Sequence, residues 1–485
     1  MPERLSRRRF VTELSAAAPF ALAATALSAQ PDAPKSGLAT GVRAGEITAT
    51  TARIWARLTR SATRAEGNGQ YEKADKNARK SQQPLPDRDV DLLQGACPPV
   101  DGRLRVRYSR NAELGDAVVT EWADVTVAND SIHQFQLRNL EPAADYFYSV
   151  EGTGPNDRSA AVTLGGHFRT APLESAAVPV RFCVMTCQGY HDRGHADGHA
   201  IYPAMQALKP DFAVLTGDLV YYDNDAPSAL SARIARYHWE RMFSLPRLVE
   251  FNRSVGTYWL KDDHDTLKND SWRGQAAGQL TFKTGQEIFR QQAPLSDGPV
   301  YRTIRWGREL QVWFTDGRDH RSPNSMPDGP EKTIWGDEQK AWFKQTVADS
   351  TARWKVLVSP TPLVGPDRPK KNDNHANEGF QHEGDELRAW LKAHVPHNFF
   401  VICGDRHWQY HSVHPQSGLH EFSAGPASDE HAGGTPGEDP EYHRFHRVQG
   451  GFLSVTVTPA EGAASIRFRH HDVNGAVVYE FAPGQ

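Results

Sequence analysis

Phe212-Ala-Val-Leu-Thr-Gly-Asp-Leu-Val-Tyr221 opens with five uncharged residues, then places a glycine, a carboxylate and a phenol in quick succession. An unbroken run of this kind suits a strand buried on both faces. Glycine lets the chain turn sharply, so Asp218 and Tyr221 stand at the strand's C-terminal end. Three other stretches share this design. Val180-Arg-Phe-Cys-Val-Met-Thr-Cys-Gln188 ends on Cys187, and Gly256-Thr-Tyr-Trp-Leu260 runs into Asp262-Asp-His-Asp265. Asn398-Phe-Phe-Val-Ile-Cys403 runs into Gly404-Asp-Arg-His-Trp408. Leu310–Thr315 and Trp354–Ser359 read as further strands. Helical patterns lie between them at Ile201–Leu208, Ser228–Phe243, Asp337–Ala348 and Glu383–His394, and three short β segments after Phe452 close the chain. Strands alternating with helices predict an α/β layered domain over residues 178–483. Ligand sites of open α/β sheets form at C-terminal strand ends, so the four endings point to one site.

Residues 38–172 read differently. Thr50–Leu58, Leu104–Tyr108, Val118–Trp122, His133–Leu137 and Tyr146–Val150 are short and alternate, the pattern of an all-β sandwich. Leu140-Glu-Pro-Ala-Ala-Asp-Tyr146 resembles the entry to a late strand of fibronectin type III domains. Residues 61–102 are polar and form an expected insertion in a hairpin, and Leu173–Val178 is a linker.

The chain has 485 residues, 39% hydrophobic and 24% charged, with a formal net charge of −4. That balance argues against nucleic-acid binding by bulk positive field. No apolar run in the body of the chain is long enough for a bilayer, so no stable membrane anchor is expected. Residues 1–30 carry Arg7-Arg8-Arg9-Phe10 before an alanine-rich apolar segment. They resemble a twin-arginine export signal, which implies the twin-arginine translocase as a transient partner and a periplasmic or secreted location. Of the four cysteines, Cys183 and Cys187 are four apart on one strand-like run. An extended chain puts them ~13 Å apart, too far for a disulfide.

The four strand ends bring together thiol, carboxylate, phenol and imidazole. A phenol with an ordinary pKa near ~10 binds as tyrosinate at neutral pH only beside a strong Lewis acid, which favours ferric iron for Tyr221. Cys187 is either a soft thiolate ligand or a packed thiol. The three carboxylates around His264 repel one another unless cations offset them. His264 suits contact with a phosphoryl oxygen or protonation of a leaving alkoxide. Asn269 can donate a neutral oxygen to a hard cation. Asp405 and His407, two apart, can reach adjacent metals. Arg406 either binds phosphate or pairs with a carboxylate. His191, His195 and His199 would share a face if helical, and a solvated histidine face is the expected reading.

The order of these motifs resembles the calcineurin-like metallophosphoesterases, with three departures: Cys187 for the first aspartate, Asp263 for the asparagine, and Asp405 for the first histidine of the last motif. The departures are similar to the alkaline phosphatase D branch, with its Cys-Gln strand end, Gly-Asp-x-x-Tyr, Asp-Asp-His-Asp/Glu and Gly-Asp-x-His. Gly336-Asp-Glu-Gln-Lys-Ala-Trp342 and Asp316-Gly-Arg-Asp-His-Arg-Ser-Pro323 extend the match. Gly217-Asp-x-x-Tyr221 also resembles the ferric site of purple acid phosphatases.

The resemblance implies an α/β/β/α metallophosphoesterase with an N-terminal fibronectin III-like sandwich. It implies a hydrolase of phosphate mono- or diesters, acting on small phosphate esters or phospholipid headgroups through hydroxide held on metal. Fe3+ would sit with Cys187, Asp218, Tyr221 and His407. Ca2+ would share Asp218 and take Asp263 or Asn269, together with Asp405. Arg318 or Arg321 would hold phosphate or form a structural ion pair. Two other functions stay open: a phospholipase D-like diesterase, and a non-catalytic binder of phosphate polymers or cell wall.

Overall fold

In a computed structural model of the chain, the described residues are 36–67, 86–154, 162–462 and 464–484. The expected export signal and the centre of the polar insertion, residues 68–85, lie outside them. Val180–Met185, Phe212–Thr216 and Thr257–Leu260 run parallel, side by side, with Phe212 opposite Phe182 and Ala213 opposite Thr257. They are the middle of a nine-stranded sheet. Phe452–Thr458, Ser465–His471 and Val477–Phe481 continue it antiparallel on one side. A second sheet of seven strands holds Leu310–Phe314, Trp354–Ser359, Phe399–Cys403 and His420–Ala424, all parallel.

Alternate residues of one strand serve different cores. Phe182 and Val184 pack in a cluster with Val312, Phe314, Val356 and Phe400 of the second sheet. Cys183 and Met185, pointing the other way, join Tyr202, Trp239, Leu248 and Ile288. Those four come from the helices Ile201–Ala207, Ala232–Phe243, Pro246–Ser254 and Phe282–Gln292. In the second sheet, Trp313, Leu357 and Val401 pack with Phe343 and Leu387 of the helices Gly336–Asp349 and Gln381–His394. Both faces of each strand therefore need apolar side chains, which is why these runs lack polar alternation.

The strands between Val42 and Arg169 form a β-sandwich whose two sheets differ in fate. Gly102–Ser109, Val118–Val119, Ala123–Val125, Asp145–Thr153 and Val162–Arg169 form a sheet of their own. Val42–Gly45, Ala52–Arg57 and Ile132–Leu137 instead extend the nine-stranded sheet, with Gly45 opposite Thr257. One apolar cluster runs from Leu104, Val106 and Tyr148 of the sandwich to Phe212 and Val312. Buried Arg57 adds a polar tie, with Asp130 at 2.8 Å and Glu240 of the Ala232–Phe243 helix at 3.0 Å. The four cysteines are buried and free.

Candidate active site

Each expected ligand stretch follows directly on its strand. Met185 ends one strand two residues before Cys187, and Thr216 ends another two before Asp218. Leu260 and Cys403 precede Asp262 and Asp405 by the same short step. The two sheets meet there. Thr186 bridges Pro426, and the Cys187 carbonyl accepts from Ala427 N at 3.1 Å. Gly404 sits between the sheets: a Cβ on it would lie 2.6 Å from the Thr216 carbonyl and 2.7 Å from that of Pro360. No side chain fits there.

Cys187, Asp218 and Asp405 adopt left-handed backbone, with φ of 51°, 54° and 62°. Such conformations cost roughly 1–3 kcal/mol each in non-glycine residues and gather at functional sites. Here they turn three strand ends inward at once. The donor atoms of Cys187, Asp218 and His407 lie within 4.8 Å of one another. So do those of Asp218, Asp263 and His264, and of Asp218, Asp262 and Asp405. Asp218 is common to all three groups. Tyr221 Oη is 3.2 Å from Asp218 Oδ2 and 3.4 Å from His407 Nε2.

The residues present fit cations. Asp218 Oδ1 and Asp262 Oδ2 are buried with no hydrogen-bond partner, a costly state for a carboxylate unless a positive charge meets it. Burial, then the charge of Asp218, pushes the Cys187 thiol and the Tyr221 phenol well above their ordinary values. Burial and the neighbouring aspartates do the same to Asp218, against the opposing pull of His264. A cation held among these donors would reverse that balance.

The remaining expected residues take distinct places. His264 is 6% exposed, and its Nδ1 is 2.5 Å from Asp223 Oδ1. Burial opposes its charge, but Asp223, Asp263 and Asp218 outweigh it and hold His264 well above the ordinary imidazole range. Asp263 accepts from the backbone N–H groups of His264 and Asp270, at 2.9 and 2.5 Å. The side chain of Asn269 is exposed, and its backbone N–H donates to Asp223. Arg318 is wholly buried: its Nε donates to Asp262 at 2.5 Å, and a terminal nitrogen lies 3.5 Å from Asp263. Arg321, also buried, donates to the Asp373 carbonyl at 2.5 Å and to Asn324 at 2.6 Å. Arg406 pairs with carboxylates, those of Asp405 and Asp367.

Cys187 to Ala200 is not helical. Gly194 and Gly198 have positive φ there, and the three histidines separate: His199 is buried against the Gly189 carbonyl while His195 is exposed. Several residues beside the cluster carry little signal in the sequence. Asp223 lies in the same turn as Tyr221 and was within reach of a spacing argument. Asp192, Asp367, Asp373 and His431 arrive on loops by tertiary packing alone.

Comparison with known proteins agrees with this geometry. The family described as PhoD-like phosphatase matches residues 182–477, and its N-terminal domain matches residues 23–172. The chain is 22% identical over 422 residues to alkaline phosphatase D of Bacillus subtilis (strain 168), covering 72% of this chain and 68% of that one. A solved PhoD structure superposes with a TM-score of 0.71 at 16% identity, covering 93% of this chain and 90% of that one. A purple acid phosphatase from yellow lupin (Lupinus luteus) seeds gives 0.59 at 14%, covering 91% and 73%. With the family matched across both parts of the chain, and an acidic metal-binding cluster at its strand ends, the protein belongs to the PhoD-like phosphatases and is a metal-dependent phosphoric ester hydrolase.

Proposed function

We propose that this chain is an exported phosphoesterase of α/β/β/α architecture that cleaves phosphate mono- or diesters. The observation that carries the reading is Asp218, whose carboxylate belongs to all three groups of candidate ligands. Cys187, Asp218, Tyr221 and His407 would hold Fe3+. Asp218 with Asp263 or Asn269, and Asp405, would hold Ca2+. Bound there, the cations supply Lewis-acid charge for the oxygens of an in-line displacement at phosphorus.

The chain's own groups do the rest. His264, oriented by Asp223, carries a proton at Nε2 and faces the cluster, placed for a leaving-group oxygen. Arg318 acts on the substrate indirectly by fixing Asp262 and Asp263, and Arg321 by holding the Asp373 loop. The buried Cys187 end of the cluster keeps bulk water from the softest ligand. Residues 1–30 support twin-arginine export to the periplasm or beyond, and no described helix is long and apolar enough to cross a membrane.

The test is elemental analysis of the purified protein beside phosphate release from a nitrophenyl monoester, a bis-nitrophenyl diester and phosphatidylcholine. Iron and calcium in the wild type, with activity lost in Asp218→Asn, support the reading. Full activity in a metal-free protein ends it.

A further inference from the structure

His431 lies outside every strand-end motif, on a loop whose sequence has no readable pattern. Two ties fix that loop at the site. Ala427 N donates to the Cys187 carbonyl at 3.1 Å, and Gly433 N donates to the His407 carbonyl at 3.0 Å. Between these anchors the His431 ring stands 4.3 Å from that of His407 and 5.1 Å from that of Tyr221, centroid to centroid. Its Nε2 is 2.9 Å from Tyr221 Oη, and its Nδ1 is 2.9 Å from Asp192 Oδ2.

We propose that His431, held by Asp192, is a positioning residue that turns the Tyr221 hydroxyl so that its oxygen lone pairs face Cys187, Asp218 and His407. The direction follows from donor chemistry. A carboxylate only accepts, so Nδ1 donates to Asp192. In the neutral ring Nε2 is then an acceptor for the Tyr221 O–H in the metal-free site, and it is the group that would take up this proton, and donate it back as a hydrogen bond, where the phenol binds as tyrosinate. An outer partner that sets the orientation of a ligand commonly changes metal affinity by about 10–100-fold when removed. Gly189 gives the arrangement a second, independent mark. A Cβ at that position would stand 3.0 Å from His431 Nδ1 and 3.1 Å from Asp192 Oδ2. A side chain there would crowd the pair by a few tenths of an ångström.

The inference rests on the proposed iron site, and the experiment separates the two. Full-length wild type, His431→Ala, His431→Gln and Asp192→Asn are stripped of metal and titrated with iron alone. Bound iron is counted, and the visible tyrosinate-to-iron absorption band is recorded. Circular dichroism confirms that each variant is folded. His431→Ala and Asp192→Asn are expected to weaken iron binding about 10-fold or more and to shift or weaken the band. His431→Gln, whose amide oxygen falls near the position of Nε2, is expected to restore most of both. An unchanged band and affinity in folded His431→Ala overturns this proposal alone. A wild type that binds no iron overturns the iron site and the proposal together.

Discussion

Gly217 approaches Asp262 so closely that a methyl group on it would stand 2.8 Å from both the Asp262 Cβ and its backbone nitrogen. Its φ is +90°, and Asp218 follows with φ +54°. The contact lets the ends of two parallel strands converge and aims the Asp218 carboxylate at the neighbouring stretch.

Gly217→Ala therefore meets both a clash and an unfavourable backbone. Stability is expected to fall by roughly 1–3 kcal/mol, and bound metal per chain to fall with it. Urea unfolding and elemental analysis on the same preparation check this. Wild-type values for both would show that the close approach is dispensable.

Arg318 and Asp262 are both wholly buried and 2.5 Å apart. Burial pushes Asp262 up to about 6 even with Arg318 opposing it. Arg318→Met would strand two carboxylates in the interior. Breaking a buried pair from one side costs about 3–5 kcal/mol, so the urea midpoint should drop sharply. A stable Arg318→Met whose only defect is a higher KM would instead assign this arginine to the substrate.

The strands of the α/β part were legible because each packs apolar residues on both faces. Gln409–Val413 was not, since its polar side chains are buried and find partners. His411, for example, reaches Tyr479 at 2.8 Å and His420 at 2.9 Å. Nothing in Val42–Gly45 indicates that it extends a sheet whose next strand begins at Thr257, because one parallel pairing across a long sequence gap leaves no local pattern. The same division holds at the site. Candidate ligands fixed by a strand end could be read from the sequence, whereas His431 and Asp192, delivered by loops, could not.

Glu383 gathers the segment before the Gly336–Asp349 helix, accepting from Thr333 Oγ1, from Ile334 N at 2.6 Å and from His375 Nε2 at 2.8 Å. Burial alone would raise its carboxyl, but these bonds outweigh it and hold it at about 2, against an ordinary 4.5. A carboxyl depressed on folding stabilises fully above its unfolded value and loses that contribution as pH falls through the folded one. Burial also keeps His375 below the ordinary imidazole value, which adds a loss of the same sign as pH falls below about 6.5. The unfolding midpoint should decline from pH 7 to pH 3, with Glu383 contributing on the order of 2–3 kcal/mol. Glu383→Gln should start lower at pH 7 and decline less steeply below pH 5. Parallel curves for the two proteins would remove Glu383 from the account.

Asp223 is the only carboxylate hydrogen-bonded to the His264 ring among the described residues. It is itself held by Asn269 N at 2.9 Å. Burial would raise Asp223, but His264 and that backbone bond lower it, and Asp223 is the first of the charges that hold His264 up against burial. Asp223→Asn preserves shape but replaces the charge with a neutral amide. His264 then loses its orientation and part of the field that retains its proton. On the acid role proposed for His264, the expected result is a fall in kcat of about 10–100-fold with a smaller change in KM, because that role uses the proton at bond cleavage and little at binding. A substrate with a better leaving group, such as a dinitrophenyl ester, should recover much of the loss, since its departing oxygen needs no proton. Steady-state kinetics on the two esters decide it: an equal loss on both would mean that Asp223 supports the fold of the turn and not the chemistry of His264.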